Sequence, residues 1–406
     1  MKKYYLIGEK LSHSYSGEIH SLFGLDYKLK ELKRESVGEF LRGKKFDGLN
    51  VTVPYKTAVI PFLDELSKTA EKIGAVNVIA NENGKLKGYN TDYDGMKRAL
   101  FSAGITLTGN NVLIAGSGGA AKTAEKLAED LNARSVEIVS RTGGTDYGNV
   151  YEKKDTQVII NATPVGMYPC CDAEILKPER FKNLEGVFDC IYNPLRTRLV
   201  LKAEKLGLKA AGGLEMLVCQ ALCSEEIWGE SAKAEKDTER VYGYLLGRER
   251  NVVLTGMPGA GKTSTGKILA KKLGREFFDT DELVEKLAGE SPERIILNRG
   301  EEEFRRLERE VVLSLENCRG AVIATGGGTV LNEENVMRLK GSGLMIYLKR
   351  SLEKLPTENR PLSKNGAISR LFEQRKWYYE VSADAFIEEK ETAEAAADEI
   401  IKEFFA

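Results

Sequence analysis

An α/β fold of parallel sheets with crossover helices is predicted by three observations. Strand-like and helix-like segments alternate along the chain. Two glycine-rich loops each follow an apolar, strand-like run, and neither an internal repeat nor a low-complexity segment interrupts the alternation. At 406 residues the chain exceeds what one core usually serves, and about 150 residues per domain suggests two or three domains.

The expected strands of the first half lie at 3–8, 27–32, 48–53, 111–116, 135–141, 157–163 and 186–192. Asn83-Gly84, between the segments 76–80 and 85–90, is a two-residue hairpin signal and predicts an antiparallel pair there. Residues 230–250 are polar and charged, with a helical spacing of Val241, Tyr242, Leu245 and Leu246, and end just before a new strand at Asn251. The main boundary is therefore placed near Gly247, giving domains at 1–247 and 248–406.

Composition excludes several classes. Hydrophobic residues make up 42% and charged residues 30%, as in ordinary globular proteins. With 60 basic and 61 acidic residues the net charge is −1, so neither nucleic acid nor an anionic membrane is an expected partner. The apolar run after Met1-Lys2-Lys3 is too short for a signal-peptide core, and no run approaches the ~20 apolar residues of a membrane span. Six cysteines (Cys170, Cys171, Cys190, Cys219, Cys223 and Cys318) form no C-x-x-C pair, and the two histidines lie far from them. Neither a zinc site nor a disulfide framework is expected, and a cytoplasmic location fits best. Cys219 and Cys223 read as small buried hydrophobes on a helix.

The sharpest motif is Gly256-Met257-Pro258-Gly259-Ala260-Gly261-Lys262-Thr263, between a strand at 251–255 and a helix at 265–273. It fits G-x-x-x-x-G-K-[ST], in which backbone N–H groups cradle a polyphosphate, the lysine reaches the β- and γ-phosphates, and the threonine hydroxyl can ligate Mg²⁺. Gly256, Gly259, Ala260, Gly261, Lys262, Thr263 and Ser264 are the expected nucleotide contacts.

Gly116-Ser117-Gly118-Gly119-Ala120-Ala121 follows the strand at 111–115 and fits G-x-G-x-x-[GA], a pyrophosphate turn at a helix start. At the end of the next strand an NAD site would place an acidic residue; here Ser140-Arg141-Thr142 stands instead, and a guanidinium suits the 2′-phosphate of NADP. Gly116, Gly118, Gly119, Ala120, Ser140, Arg141 and Thr142 are the expected contacts.

Upstream, small polar clusters occupy loops and strand ends: Ser12-His13-Ser14-Tyr15-Ser16, Asn50 to Lys56, Asn77 and Asn90-Thr91-Asp92. Hydroxyls, amides and one lysine–aspartate pair suit a polyhydroxylated ring. Reducing a ketone leaves an alkoxide that needs a general acid beside it, and Lys56 is the candidate, with Asp92 holding a substrate hydroxyl and the ammonium. Lysine ordinarily titrates near ~10.4, so this work near neutrality requires desolvation. A bare surface pair is the competing account of Lys56 and Asp92. His13 reads as a structural polar residue.

The segments L-I-G-E-K-L-S-H-S-Y-S, N-V-T-V-P-Y-K, G-A-V-N, Y-N-T-D, G-S-G-G-A, I-N-A-T-P-V-G-M and G-G-L-E-M-L-V-C-Q occur in the order and spacing of shikimate dehydrogenases, which residues 1–247 resemble. The resemblance implies a substrate subdomain at about 1–103 and 213–247 and a Rossmann NADP subdomain at about 104–212. It implies that Ser14, Ser16, Thr52, Lys56, Asn77, Asp92 and Gln220 line a shikimate pocket, that Lys56 and Asp92 are the catalytic pair, and that Tyr192, Gly213 and Met216 lie near the cofactor. Gly17 stands where the family usually has proline, and Thr145 where a second basic residue is common.

Beyond the phosphate loop, Asp279-Thr280-Asp281 is read as the end of a strand begun at Glu276, with both carboxylates on one side, although capping of a helix start would also account for the pair. Arg305 suits a substrate carboxylate. Ala324-Thr325-Gly326-Gly327-Gly328 offers bare backbone amides, Arg360-Pro361-Leu362 lies in a polar loop that could close, and Arg375, four residues before Tyr379, is placed at the start of the last helix. Residues 250–406 resemble shikimate kinase, a P-loop fold with a parallel five-stranded sheet. That resemblance implies Lys262 and Thr263 at the phosphates and metal, Asp279 as an outer Mg²⁺ ligand, Asp281, Arg305, Gly327, Gly328 and Arg375 around shikimate, and Arg360 as a catalytic lid arginine.

The expectation is a bifunctional enzyme that reduces 3-dehydroshikimate with NADPH and then phosphorylates shikimate with ATP and Mg²⁺. Two alternatives stay open: an NAD-dependent quinate/shikimate dehydrogenase joined to another small-molecule kinase, and a metabolite-sensing regulator without catalysis. Oligomeric state is not legible.

Overall fold

The computed structural model of the chain describes residues 2–11, 14–141, 145–354 and 367–405. They form two compact units, Met1–Tyr244 and Leu245–Ala406.

The first unit opens with β1 (Tyr4–Gly8), α1 (Ser16–Ser21), β2 (Tyr27–Glu31), α2 (Arg34–Arg42), β3 (Gly48–Val51), β4 (Glu65–Leu66), α3 (Lys68–Ile73), β5 (Val78–Glu82), β6 (Lys85–Tyr89) and α4 (Asp92–Ser102). These strands make a six-stranded sheet in the order β2-β1-β3-β5-β6-β4. β1 runs parallel to β2 and β3, while β5 is antiparallel to β3 and β6. Asn83 and Gly84 join β5 to β6 with φ of 53° and 87°, the left-handed pair that a tight type I′ hairpin demands.

A second sheet follows from β7 (Asn111–Ala115), α5 (Gly119–Asp130), β8 (Ser135–Val139), β9 (Val158–Asn161), β10 (Gly186–Asp189), α6 (Arg198–Lys205) and β11 (Lys209–Ala211). Its order is β11-β10-β9-β7-β8, all parallel. Val112, Ile114, Val158, Ile160 and Phe188 are buried in one cluster, and burying each such side chain contributes about 1.5–3 kcal/mol. Because β8 and β9 flank β7 on opposite sides, strand order reverses there and a crevice opens at the carboxyl end of β7. α7 (Leu214–Ile227) then returns to pack on α4, and α8 (Ala234–Glu249) closes the unit and leads into the next.

The second unit contains β12 (Asn251–Thr255), α9 (Lys262–Leu273), β13 (Phe277–Asp279), α10 (Thr280–Ala288), α11 (Pro292–Arg299), α12 (Glu301–Ser314), β14 (Val322–Ala324), α13 (Glu333–Ser342), β15 (Gly343–Leu348), α14 (Ala367–Ser382), β16 (Ala385–Ile387) and α15 (Ala393–Phe404). Its sheet is parallel and five-stranded, in the order β13-β14-β12-β15-β16, with every residue of β12 buried.

Two local expectations are corrected. The strand from Glu276 stops at Asp279, and Asp281 lies in the first turn of α10, because the Asp279 carboxylate caps that helix through the backbone N–H groups of Asp281 (3.0 Å) and Glu282 (3.4 Å). Arg375 sits inside α14, which is not the last helix: a three-residue strand too short to leave an alternation signal, β16, and then α15 follow it. Among the described residues no helix is long and apolar enough to cross a membrane.

Candidate active sites

In the first unit, Lys56 and Asp92 meet across the mouth of the β7 crevice. Lys56 Nζ donates to Asp92 Oδ2 at 2.5 Å, with side-chain exposures of 17% and 6%, so the pair is not a solvated surface contact. Asp92 is the first residue of α4, where the helix dipole favours a carboxylate. Its Oδ1 accepts from Asn77 Nδ2 at 3.1 Å, and Asn77 Nδ2 also stands 3.1 Å from Gln220 Oε1 and 2.9 Å from Thr91 Oγ1. Asn77 Oδ1 in turn accepts from Thr91 N at 2.7 Å. Residues from β5, α4 and α7 thus share one polar cluster, and Asn77, Thr91 and Asp92 are nearly inaccessible.

Ser14 and Ser16 lie beside each other, Oγ to Oγ 3.2 Å, with Ser16 buried at the start of α1. Thr52 follows β3, half-buried, its N–H donating to Ile7 at 3.0 Å. The half-buried Tyr192 ring faces Tyr15 with centroids 5.4 Å apart. The loop carrying Tyr192 is pinned by Asp189, whose carboxylate accepts from Thr197 Oγ1 at 2.7 Å and Ile191 N at 3.0 Å; burial pushes its carboxyl up to about 6. Gly213 caps α7 and presses on the Cys190 carbonyl, and Met216, one turn on, is buried against α4.

The glycine loop after β7 lies directly under the lysine. Gly116 takes φ of 119°, and a Cβ on Gly119, the first residue of α5, would stand 3.2 Å from Lys56 Cδ. Gly118 has nothing within 4 Å of such a Cβ, and Ala120 follows inside the helix. This open cradle at a helix N-terminus fits a pyrophosphate. At the end of β8, Ser140 is buried and Arg141 is exposed; Thr142 lies outside the described residues, as does His13. Thr145 is buried and donates to Glu137, so its side chain is not presented beside Arg141.

In the second unit Gly256, Gly259 and Gly261 adopt φ of 146°, 88° and 92°, conformations that favour glycine, while Ala260 N donates back to Met257 O at 3.0 Å. Lys262 is buried, and its Nζ donates to the carbonyls of Gly256 (2.9 Å) and Met257 (3.0 Å). Thr263 Oγ1 donates to Asp279 Oδ2 at 2.7 Å, and Ser264 is exposed on the next position of α9. A hydroxyl and a carboxylate at the foot of a phosphate loop are hard oxygen donors that fit Mg²⁺.

Asp281 lies over Gly326, where a Cβ would come 2.6 Å from Asp281 Oδ1. Burial pushes the Asp281 carboxyl up to about 6, and the Asp279 carboxylate adds in the same direction. Gly327 abuts Pro258 of the phosphate loop, and its carbonyl accepts from Tyr379 OH. Gly328 lies under the guanidinium of Arg305, which donates to Glu308 Oε2 (3.0 Å) and Glu301 Oε1 (3.1 Å). Glu308 is buried, and its other oxygen accepts from Thr329 Oγ1 at 2.8 Å. A cleft of about 440 Å³ opens beside Arg305 and Gly328. Arg375, buried in α14, adjoins the Tyr379 hydroxyl. Arg360 lies outside the described residues.

Three supporting residues were given no role of their own by the motifs. Thr91 lies within the Asn90-Thr91-Asp92 cluster, but its partners Asn77 and Gln220 stand 14 and 129 positions away, and Asp189 meets Asn161, 28 positions away, besides its near partners Ile191 and Thr197. Glu308 has a local signal, its i,i+3 spacing from Arg305 on an otherwise apolar face of α12.

Comparison with known proteins covers both units. Residues 258–405 match the family model described as shikimate kinase, and residues 6–79 that of the shikimate dehydrogenase substrate binding domain. The shikimate dehydrogenase (NADP(+)) of Clostridium beijerinckii is 38% identical over 262 residues, covering 60% of this chain and 97% of that protein. Among solved structures, shikimate dehydrogenase 1 from Peptoclostridium difficile is 34% identical with a TM-score of 0.56, covering 60% of this chain and 97% of that one. Shikimate 5-dehydrogenase from Thermus thermophilus, solved in complex with NADP(H) and shikimate, is 27% identical with a TM-score of 0.52, covering 60% of this chain and all of that one. The chain belongs to the shikimate dehydrogenase family and carries, fused behind that enzyme, a shikimate kinase domain.

Proposed function

We propose that the first unit reduces 3-dehydroshikimate to shikimate with NADPH, and that the second transfers a phosphoryl group from ATP to the 3-hydroxyl of shikimate. The observation that carries the reading is the Lys56–Asp92 pair lying against the glycine cradle, which puts a proton donor where a dinucleotide and a small hydroxy acid would meet.

When bound, NADPH supplies the hydride that reduces the ketone carbon. Lys56 Nζ then gives a proton to the ketone oxygen as charge develops on it, and the partly exposed lysine recovers its proton from solvent. Asp92 orients the ammonium and accepts a hydrogen bond from a ring hydroxyl. Ser14, Ser16, Thr52, Asn77 and Gln220 surround the acid; Tyr192, Gly213 and Met216 border the nicotinamide end. Gly116, Gly118, Gly119 and Ala120 take the pyrophosphate. Arg141, exposed beside Ser140, meets the 2′-phosphate.

In the kinase, Lys262 exchanges its two loop carbonyls for β- and γ-phosphate oxygens, within the cradle of Gly256, Gly259, Ala260, Gly261 and Ser264. Thr263 and Asp279 would hold Mg²⁺, which offsets phosphate charge. Asp281 orients the 3-hydroxyl and accepts its hydrogen bond, while Arg305, Arg375 and the amides of Gly327 and Gly328 fix the rest of the acid. Arg360 is assigned to the transferring group by sequence alone. A cytoplasmic location suits this chemistry.

A coupled assay from 3-dehydroshikimate, NADPH and ATP tests both halves. Lys56→Ala should lose at least about a hundredfold in the reduction and leave phosphorylation intact, and Lys262→Ala the reverse. A wild-type chain that binds shikimate but turns over neither step, or prefers NADH with quinate, would overturn the corresponding half.

A further inference from the structure

We infer that the buried pair His20–Glu225 is a positioning clasp that sets the distance between Ser14 and Ser16 on one side of the acceptor pocket and Gln220 on the other. The inference rests on the dehydrogenase reading above. His20 and Glu225 are both fully inaccessible, and His20 Nδ1 stands 2.7 Å from Glu225 Oε1. Neither takes part in the chemistry, and each keeps one buried atom, His20 Nε2 and Glu225 Oε2, with no partner among the described residues. A buried ionisable pair satisfied through a single bond is a poor stabiliser compared with apolar packing. What it does supply is a fixed separation between two helices.

Those helices carry the two sides of the pocket. His20 is four residues after Ser16, on the same face of α1, and Glu225 is five residues after Gln220 on α7, which packs against α1. A second path joins the same points. The Tyr27 ring stacks on His20 with centroids 4.1 Å apart, and Tyr27 OH donates to Asn50 Oδ1 at 2.7 Å. Asn50 Nδ2 donates to Ser224 Oγ at 2.8 Å, and Ser224 Oγ donates to Gln220 O at 2.8 Å. The pair therefore closes a ring of contacts running from α1 through β2 and β3 to α7. Changing its length moves the Ser14–Ser16 edge relative to Gln220, while Lys56 and Asp92 lie outside the ring.

The test measures steady-state kinetics of both activities in the full chain, together with thermal unfolding. In the double variant His20→Leu/Glu225→Leu both ionisable groups go at once, so the dehydrogenase fold should be as stable as wild type or more so. Its KM for shikimate should nonetheless rise about tenfold, with kcat within about twofold, and with KM for NADP and phosphorylation unchanged. Glu225→Asp keeps the carboxyl group, shortens the reach by one methylene, and should raise the same KM at least about threefold. A stable double variant with wild-type KM would overturn the clasp, as would a fall in kcat with KM unmoved. Should the double variant fail to fold, Glu225→Asp decides alone. Wild-type chain that does not oxidise shikimate would instead overturn the dehydrogenase reading itself.

Discussion

Replacing Asp281 by asparagine should make the kinase domain more stable and less active, with a pH dependence that identifies the cause. The Asp281 carboxyl is pushed from 3.8 up to about 6, chiefly by burial. The folded chain thus holds this proton more tightly than the unfolded chain does. Below about pH 4 both states carry it and nothing is lost; as pH rises to about 6 the folded state must give it up, and stability falls. At about 1.4 kcal/mol per tenfold change in proton affinity, the full cost above pH 6 is roughly 3 kcal/mol. Asparagine cannot ionise, so Asp281→Asn should gain up to that amount at pH 7 and nothing near pH 4. For a domain of this size the gain corresponds to roughly 5–10 °C in one calorimetric endotherm of the full chain, measured between pH 4 and 8. Phosphorylation should fall at least about a hundredfold, and the wild-type rate should drop as pH goes below about 6 and Asp281 protonates. A variant equally stabilised at pH 4 and pH 7, or destabilised at pH 7, would refute the argument.

Two further substitutions probe the first unit. Arg141→Ala should raise KM for NADPH about 10- to 100-fold, the loss of a charge-assisted contact, while leaving KM for NADH within about twofold; equal effects on both cofactors would remove Arg141 from the 2′-phosphate. Gly213→Ala drives a Cβ into the Cys190 carbonyl at the head of α7 and should cost about 1–3 kcal/mol in chemical denaturation and lower the dehydrogenase kcat, with phosphorylation unchanged as the control.

The parts of the molecule that could be read from the sequence are those where chemistry constrains neighbouring residues. Asn83-Gly84 specifies its own hairpin, and the two glycine loops announce themselves because positive φ and a helix start must coincide within a few residues. Asp281 escaped placement because the strand and the cap share Asp279: one residue ends an extended segment and begins a helix, and alternation alone cannot tell where the period changes. The roles of Thr91, Asp189 and Glu225 were hidden for a different reason. Each meets at least one partner through the folded chain, as Glu225 meets His20 from 205 positions away, and no spacing rule reaches that far. His20 carried a faint signal in its four-residue offset from Ser16, which acquires meaning only once α7 lies against α1.

Gly119 couples two parts of the first unit that are otherwise separate in sequence. The stem of Lys56 rests on its bare Cα, and even a methyl group there would meet Lys56 Cδ at 3.2 Å. Anyone redesigning this loop for a different dinucleotide therefore has fewer free positions than the motif suggests: a bulkier residue at 119 shifts the lysine before it touches any cofactor. Libraries that vary the loop should hold this position constant or vary Lys56 together with it.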